Sequence, residues 1–438
     1  MKKVSFYTVG CKLNFAETST ISEEFKKHGF EIVEFGEPSD VCVINTCSVT
    51  ENADKDCRRA VRKALKTSPN AFIIVTGCYA QLRPEEIAQI EGVDLILGSN
   101  EKFKIFDYVN DFQKNYHAQI FVSPITESDE FHIASSTPAS DRTRAFLKVQ
   151  DGCDYNCSYC TIPLARGESR SPEISVIVER AKILAQLGYK EIVLSGVNVG
   201  DYGRKIGTNL FELVKALENI DGIKRIRISS IEPNLLTEEM IDYFINSEKI
   251  CNHFHIPLQS GSDEILKKMR RRYNTDLYRK RVEYIKEKDP DACIGVDVIV
   301  GFPGESEKHF EATYNFIKEL PISYLHVFTY SERPNTDAIN LPNKVPMDER
   351  HRRSEELRNL GLKKKYNFYR QMIGKTFDVL WEAEVKNDQI FGFTKNYIKV
   401  KTKYNPDLIN QITSVKITGI ENLTATCELI QTKMEIHP

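Results

Sequence analysis

Residues 145–160 read AFLKVQDGCDYNCSYC, a short apolar run that empties into three cysteines spaced C-x3-C-x2-C. A run of this length with turn residues behind it is a strand delivering a loop. The loop holds Cys153, Cys157 and Cys160, three thiols in eight residues. Tetrahedral zinc sites and disulfide frameworks use an even number of sulfurs, so a set of three is incomplete for either. A [4Fe-4S] cube takes four thiolates, and three leave one iron open to a small molecule.

Working outward, the βα rhythm repeats about six times over residues 143–340. The expected strands are AFLKVQ, EIVLSG, RIRISS, FHIPLQ, IGVDVIVG and YLHVFTY, with amphipathic helical stretches between them. Six such units form a partial or closed parallel barrel whose active edge lies at the carboxyl ends of the strands. Upstream, VSFYTVG, DVCVINT and AFIIVTG alternate with the helical stretches TSTISEEFKKHG and DKDCRRAVRKALK, predicting a second open parallel sheet. The polar stretch at 123–144 reads as a linker. Beyond a charged helix around 348–372, the pieces FDVLWEAEV, IFGFTK, YIKVKT, SVKITGI and ATCELI predict a small antiparallel β-barrel, OB-like in kind. The expected fold class is therefore α/β: a parallel-sheet domain over 1–135, a partial (βα)6 barrel with its connecting helix over 136–372, and a small β-barrel over 373–438.

Composition narrows the chemistry. At 438 residues, 41% hydrophobic and 28% charged, the chain is globular and multi-domain, with no apolar run of the ~18 residues that span a bilayer. The start MKKVSFYTVGC lacks a secretory pattern, which places the protein in the cytoplasm as an expectation. There, eleven cysteines are free to hold metal rather than form disulfides. A formal net charge of −2 provides no broad cationic field, so any contact with nucleic acid must be local.

Cys11, Cys47 and Cys78 each follow an expected strand, and parallel strands bring their carboxyl ends to one edge, so topology builds a second three-cysteine site. Cys42, Cys57, Cys251, Cys293 and Cys427 read as packing residues. Other strand ends place glycine or polar groups where a nucleotide-like ligand can approach: Ser195, Gly196 and Asn198; Ser229 and Glu232; Gln259; and Gly301.

With both cysteine groups placed, the chain resembles the methylthiotransferases of the radical S-adenosylmethionine superfamily along essentially its whole length. GCKLNFAET, NTCSVTENADKDCR and GCYAQLRPEE are similar to their auxiliary-cluster domain, DGCDYNCSYCTIPLARGESRS to their radical-cluster loop with Tyr159 before the last cysteine, and the final barrel to their TRAM domain. The resemblance implies two [4Fe-4S] clusters, on Cys11, Cys47 and Cys78 and on Cys153, Cys157 and Cys160, with S-adenosylmethionine as the other cofactor. Tyr159 joins Ser195, Gly196, Asn198, Ser229, Glu232, Gln259 and Gly301 as the expected cofactor contacts. It implies methylation of a cluster-associated sulfur by one S-adenosylmethionine. A second yields a 5′-deoxyadenosyl radical that abstracts hydrogen from an unreactive carbon, which then accepts the methylthio group.

Within the family, Gly10-Cys11-Lys12-Leu13-Asn14 is most similar to the subclass acting on N6-threonylcarbamoyladenosine beside the tRNA anticodon. Relatives acting on isopentenyladenosine usually read GCQMN, and those acting on a ribosomal protein GCPKN. Both substrates remain alternatives, as does, outside the enzymes, a non-catalytic iron-sulfur protein that binds RNA. Expected partners are the tRNA anticodon stem-loop, an electron donor and a donor of sulfur or cluster repair, with no membrane. Expected RNA contacts are Lys268, Arg270, Arg271 and Arg272 in one basic run and Phe393, Lys395 and Lys399 in the last barrel, where lysines interleave with aromatics. Lys363, Lys364 and Lys365 form another basic run. Lys12 is a plausible partner for a substrate carboxylate if it faces the site.

Overall fold

A computed structural model describes residues 1–48, 51–125, 131–136 and 143–430, so much of the expected linker at 123–144 lies outside the described residues. The first sheet contains β1 (Lys3–Thr8), β2 (Glu31–Val33), β3 (Val41–Thr46), β4 (Phe72–Gly77), β5 (Leu95–Leu97) and β6 (Gln119–Phe121). They are all parallel, in the order β2-β1-β3-β4-β5-β6. Side chains alternate across such a sheet. Val41, Val43, Phe72 and Ile74 meet Ile21 and Phe25 of the helix Lys12–Lys27 on one face. Cys42, Ile44, Ile73 and Val75 meet Cys57, Ala60, Val61 and Ala64 of the helix Glu51–Thr67 on the other.

The central unit has β7 (Arg144–Lys148), β8 (Glu191–Ser195), β9 (Arg225–Ile228), β10 (His253–His255), β11 (Cys293–Val300) and β12 (Tyr324–Thr329). β7-β8-β9 and β10-β11-β12 are parallel sheets. The isolated parallel bridges Ile226↔Ile250 and Ser230↔His255 join them into one curved wall. Among the described residues no ladder joins β12 to β7, so the barrel is partial. Helix Lys12–Lys27 packs on β7, bringing the amino-terminal unit to the barrel's open side.

The last unit closes in the order β13 (Thr376–Lys386), β14 (Gln389–Thr394), β15 (Lys399–Lys403), β17 (Thr424–Leu429), β16 (Ile412–Glu421). Its ladders are antiparallel except β15 to β17, where Val400 pairs with Ala425 in parallel, because closure brings together two strands that no hairpin connects. Trp381 fills its core, fully buried, and donates its indole N–H to Thr413 at 2.7 Å. This barrel docks under the amino ends of the central strands. Arg225 donates to the carbonyls of Phe393 (2.8 Å) and Asp378 (2.7 Å), and Arg144 pairs with Glu382 at 2.9 Å.

Candidate active site

The auxiliary thiols arise from three strand exits. Cys11 immediately precedes helix Lys12–Lys27, Cys47 directly follows β3, and Cys78 opens the helix Cys78–Leu82 directly after β4. Gly10 has φ +114°, and a Cβ there would lie 2.7 Å from Cys47 Cβ, so only glycine lets the Cys11 and Cys47 segments approach this closely. Thr46, directly before Cys47, pairs with Gly77, directly before Cys78, and with the Gly10 approach to Cys47 this puts the three sulfur-bearing segments in one neighbourhood.

The second set lies on the loop after β7. Gly152 has φ +67°, and a Cβ would come within 1.9 Å of the Glu168 carbonyl, so the loop folds this tightly only with glycine there. Backbone N–H groups of Tyr155 and Ile162 point at the sulfurs of Cys153 and Cys160, each at 3.4 Å, and Arg271 Nη1 points at Cys157 Sγ at 3.2 Å. Burial pushes the thiols of Cys153 and Cys160 up to about 12. Capture of a soft metal cluster therefore displaces these protons and leaves the thiolates with hydrogen-bond donors already aimed at them. That donor set fits an iron-sulfur cluster at both places.

Polar groups without partners lie beside this loop. Both amide atoms of Asn198 and the hydroxyl of Ser229 are buried and make no hydrogen bond among the described residues. Such groups are costly to bury unless a ligand satisfies them. The backbone N–H of Asn198 is held by Gln150 at 2.8 Å, and Gly196 packs on the same Gln150. Gln259 stands at φ +66°, a strained conformation for a side-chain-bearing residue. It lines a cavity of about 240 Å³ together with Tyr159, Cys160, Asp297 and Ile299. Glu232 is ion-paired to Arg271, and burial outweighs that partner to raise its carboxyl.

Several expected contacts fall elsewhere. The space where a Gly301 side chain would sit is filled by Arg350, whose Cγ would be 2.3 Å from an added Cβ, so this glycine accommodates the helix Met347–Arg370 rather than a cofactor. The Ser195 hydroxyl is spent on the Val193 carbonyl at 3.2 Å. Arg271 turns inward to the radical loop, with 5% of its side chain exposed, and is withdrawn from the expected RNA surface. Lys268, Arg270 and Arg272 remain exposed. Arg270 pairs with Asp337, and Arg272 lies 3.9 Å over the Tyr155 ring.

In the last barrel Phe393 is half-buried, stacked on Tyr397 at 5.0 Å and under Arg144 at 4.4 Å. Lys395 donates to the carbonyls of Ser247 and Glu248, so both residues serve the docking interface instead of an open RNA face. Lys399 stays on the outer side, 4.5 Å over Phe391. Lys364 caps the end of the helix Glu307–Glu319 through the Lys318 and Leu320 carbonyls.

One group that sequence reasoning missed joins the two cysteine sites. Fully buried Glu17 accepts both arms of Arg166 (2.9 and 3.0 Å) and also pairs with Lys102 (2.7 Å) and Lys148 (3.2 Å). Asp151, the residue before Gly152, pairs with Lys148 (2.6 Å) and Arg166 (3.0 Å). Burial alone would raise the two carboxyls, but these cations outweigh it and hold both well below the usual range. Arg166 also donates to Asn14 at 2.8 Å, three residues from Cys11. The only sequence signal was that charged residues lay inside otherwise motif-like stretches.

The fold and the cysteine geometry define a radical S-adenosylmethionine enzyme. A family model described as the radical SAM superfamily matches residues 147–317, and one described as uncharacterized protein family UPF0004 matches residues 3–98. A threonylcarbamoyladenosine tRNA methylthiotransferase, MtaB, from Bacillus subtilis is 40% identical, covering 95% of this chain and 94% of its own. Its namesake from Aquifex aeolicus is 39% identical over 91% and 96%. A tRNA-2-methylthio-N(6)-dimethylallyladenosine synthase from Clostridium tetani is 35% identical over 94% and 92%. Among solved structures, the radical S-adenosylmethionine methyltransferase TsrM from Kitasatospora setae, with cobalamin and a [4Fe-4S] cluster bound, covers 77% of each chain with TM-score 0.56 and 13% identity, a likeness of fold. The chain belongs to the radical S-adenosylmethionine methylthiotransferases, of MtaB type, and is a transferase that methylthiolates tRNA using iron-sulfur and S-adenosylmethionine chemistry. No described helix is long and apolar enough to cross a membrane.

Proposed function

We propose that the substrate is N6-threonylcarbamoyladenosine beside the tRNA anticodon, converted in the cytoplasm to its 2-methylthio derivative with two [4Fe-4S] clusters. The observation carrying this reading is the pair of three-thiol sites, Cys11/Cys47/Cys78 and Cys153/Cys157/Cys160, bridged by the Glu17–Arg166 network. The stretch Gly10-Cys11-Lys12-Leu13-Asn14 and the names of the Bacillus and Aquifex relatives support the threonylcarbamoyl nucleoside.

In this reading Cys153, Cys157 and Cys160 hold the cluster that supplies radical chemistry when S-adenosylmethionine is bound. Asn198, Ser229 and Glu232 orient that cofactor, and Gln259 and Tyr159 shape the cavity for the base. Arg271 tunes the Cys157 sulfur and fixes Glu232. Residues 1–135 carry the sulfur source, 136–372 the radical site and 373–438 an RNA-holding barrel, where Lys399 on Phe391 faces outward. Lys268, Arg270 and Arg272 extend the RNA contact. A reductant and a sulfur or cluster-repair donor complete the cycle.

The test is anaerobic turnover of cluster-reconstituted protein with reductant and S-adenosylmethionine, on tRNA bearing threonylcarbamoyladenosine or isopentenyladenosine, read by nucleoside mass spectrometry. A methylthio mass gain confined to the threonylcarbamoyl nucleoside is expected. A gain confined to isopentenyladenosine transfers the assignment to that substrate, which the Clostridium relative's name favours. Deoxyadenosine formed with neither product points to the ribosomal protein.

A further inference from the structure

The 240 Å³ cavity beside Cys160 has a larger neighbour. Phe328, Thr329, Tyr330 and Ser331, at the end of β12, line that cavity and also a second one of about 730 Å³. Its other walls come from His351, Ser354 and Arg358 of the helix Met347–Arg370 and from Lys55 of the helix Glu51–Thr67. It therefore lies where the amino-terminal unit meets β12, the edge strand of the partial barrel. Arg333, 2.7 Å from buried Asp54, pins the start of helix Glu51–Thr67 at this place.

Three features of the larger cavity ask for a ligand. The hydroxyls of Tyr330 and Ser354 are buried and have no hydrogen-bond partner among the described residues, a cost that a bound polar group removes. Phe328 is 44% exposed, a large ring left in water where the two cavities adjoin. Arg358 is exposed and forms no ion pair among the described residues, whereas Glu332 is already paired with Arg350 at 3.0 Å. Lys55 and Arg358 thus stand against Glu355 alone, and the wall is net cationic.

The cations continue along the helix. Lys55, Arg58, Arg62 and Lys66 recur every three or four residues and are all exposed, which makes one stripe. The last three line a further hollow of about 790 Å³, where Glu86 is already paired with Arg83 at 3.3 Å. Arg62 and Lys66 pair with no carboxylate among the described residues.

We infer that the 730 Å³ cavity holds the nucleotide next to the target in the RNA strand, and that the strand's phosphates continue along the Lys55–Lys66 stripe. A base that enters the cavity beside Cys160 must leave its stack, which strips its neighbour of a stacking partner. Phe328 supplies that partner, while Tyr330, Ser354 and Arg358 take the sugar and phosphate oxygens. An aromatic face flanked by cations is how proteins hold single-stranded nucleic acid. The inference rests on the tRNA reading above but not on which modified adenosine is the target.

The experiment measures binding of anticodon stem-loops carrying threonylcarbamoyladenosine to the full-length, cluster-loaded protein by anaerobic fluorescence anisotropy. One loop is intact, and two lack the base on the 5′ or the 3′ side of the target. Phe328→Ala should weaken the intact loop by about 5- to 100-fold, and Phe328→Trp should keep its affinity. On one of the two abasic loops wild type should already bind weakly, and Phe328→Ala should cost little more. Arg358→Gln and the double variant Arg62→Gln/Lys66→Gln should reduce the slope of log affinity against log salt by about 0.7–1 per charge removed. Iron content and circular dichroism of each variant establish that it is folded and loaded.

Full affinity in folded Phe328→Ala, or an equal loss on the intact and both abasic loops, overturns the stacking site. An unchanged salt slope in the arginine and lysine variants overturns the path along the helix. A wild type that binds no stem-loop, whether it carries threonylcarbamoyladenosine or isopentenyladenosine, defeats the tRNA reading itself, a result separable from both.

Discussion

Replacing Glu17 by Gln tests whether the buried network holds the two cysteine sites in register. Glu17 is fully enclosed and is the shared acceptor for Arg166, Lys102 and Lys148, with Asp151 the other anion of the cluster. The substitution preserves shape but leaves three buried cations facing one carboxylate. Breaking a buried pair this way costs roughly 3–5 kcal/mol. At a urea slope of about 2 kcal/mol per molar, the midpoint should fall by roughly 1.5–2.5 M, followed by circular dichroism. Removing Lys102 as well, as Glu17→Gln/Lys102→Met, should recover about 1–3 kcal/mol, because the second change removes a stranded charge.

The pH dependence has a definite sign. Both carboxyls have folded-state values below their unfolded values of about 4.3 and 3.9, so their stabilisation is complete above that range. It is lost as pH falls below about 4 toward the depressed folded values, and Glu17→Gln should flatten that acid slope. A loss below ~1 kcal/mol with an unchanged acid slope would refute the argument, since the network would then be relaxed or hydrated enough to hold nothing.

Cys157→Ala should abolish 5′-deoxyadenosine formation along with the methylthio product. Cys11→Ala should lose the methylthio product while deoxyadenosine still forms, and equal loss of both would count against a division of labour between the two sites. Arg271→Gln removes a charged donor from the Cys157 sulfur; the radical cluster's reduction potential should move to a more negative value and S-adenosylmethionine cleavage should slow by about 10- to 100-fold, with iron content kept. Lys399→Gln should weaken tRNA binding and reduce the slope of log affinity against log salt by about 0.7–1, read from a salt titration.

Local chemistry was legible in the sequence. Three thiols in eight residues declare a cluster loop wherever the chain places it, and long apolar runs such as VCVINT and FIIVTG fix β3 and β4. The strand-exit positions of Cys11, Cys47 and Cys78 follow from those runs, because parallel topology aligns strand ends. Three-residue strands, β2, β5 and β6, carry too little pattern to be read, and the first helix begins at Lys12, ahead of the expected stretch.

Tertiary structure alone decided where charge goes. Lys268, Arg270, Arg271 and Arg272 look alike as a run, yet Arg271 is drawn inward because Glu232 and the Cys157 sulfur lie within its reach. Phe393 and Lys395 fit an RNA surface in pattern and became a docking interface because the barrel's foot presents Arg144 and free carbonyls to them. Glu17 and Arg166 stand 149 residues apart and meet only after two sheets have packed. A short motif specifies its own ligand chemistry, whereas the partner of a buried charge depends on which distant segments share the same low-dielectric space, and that is fixed by packing.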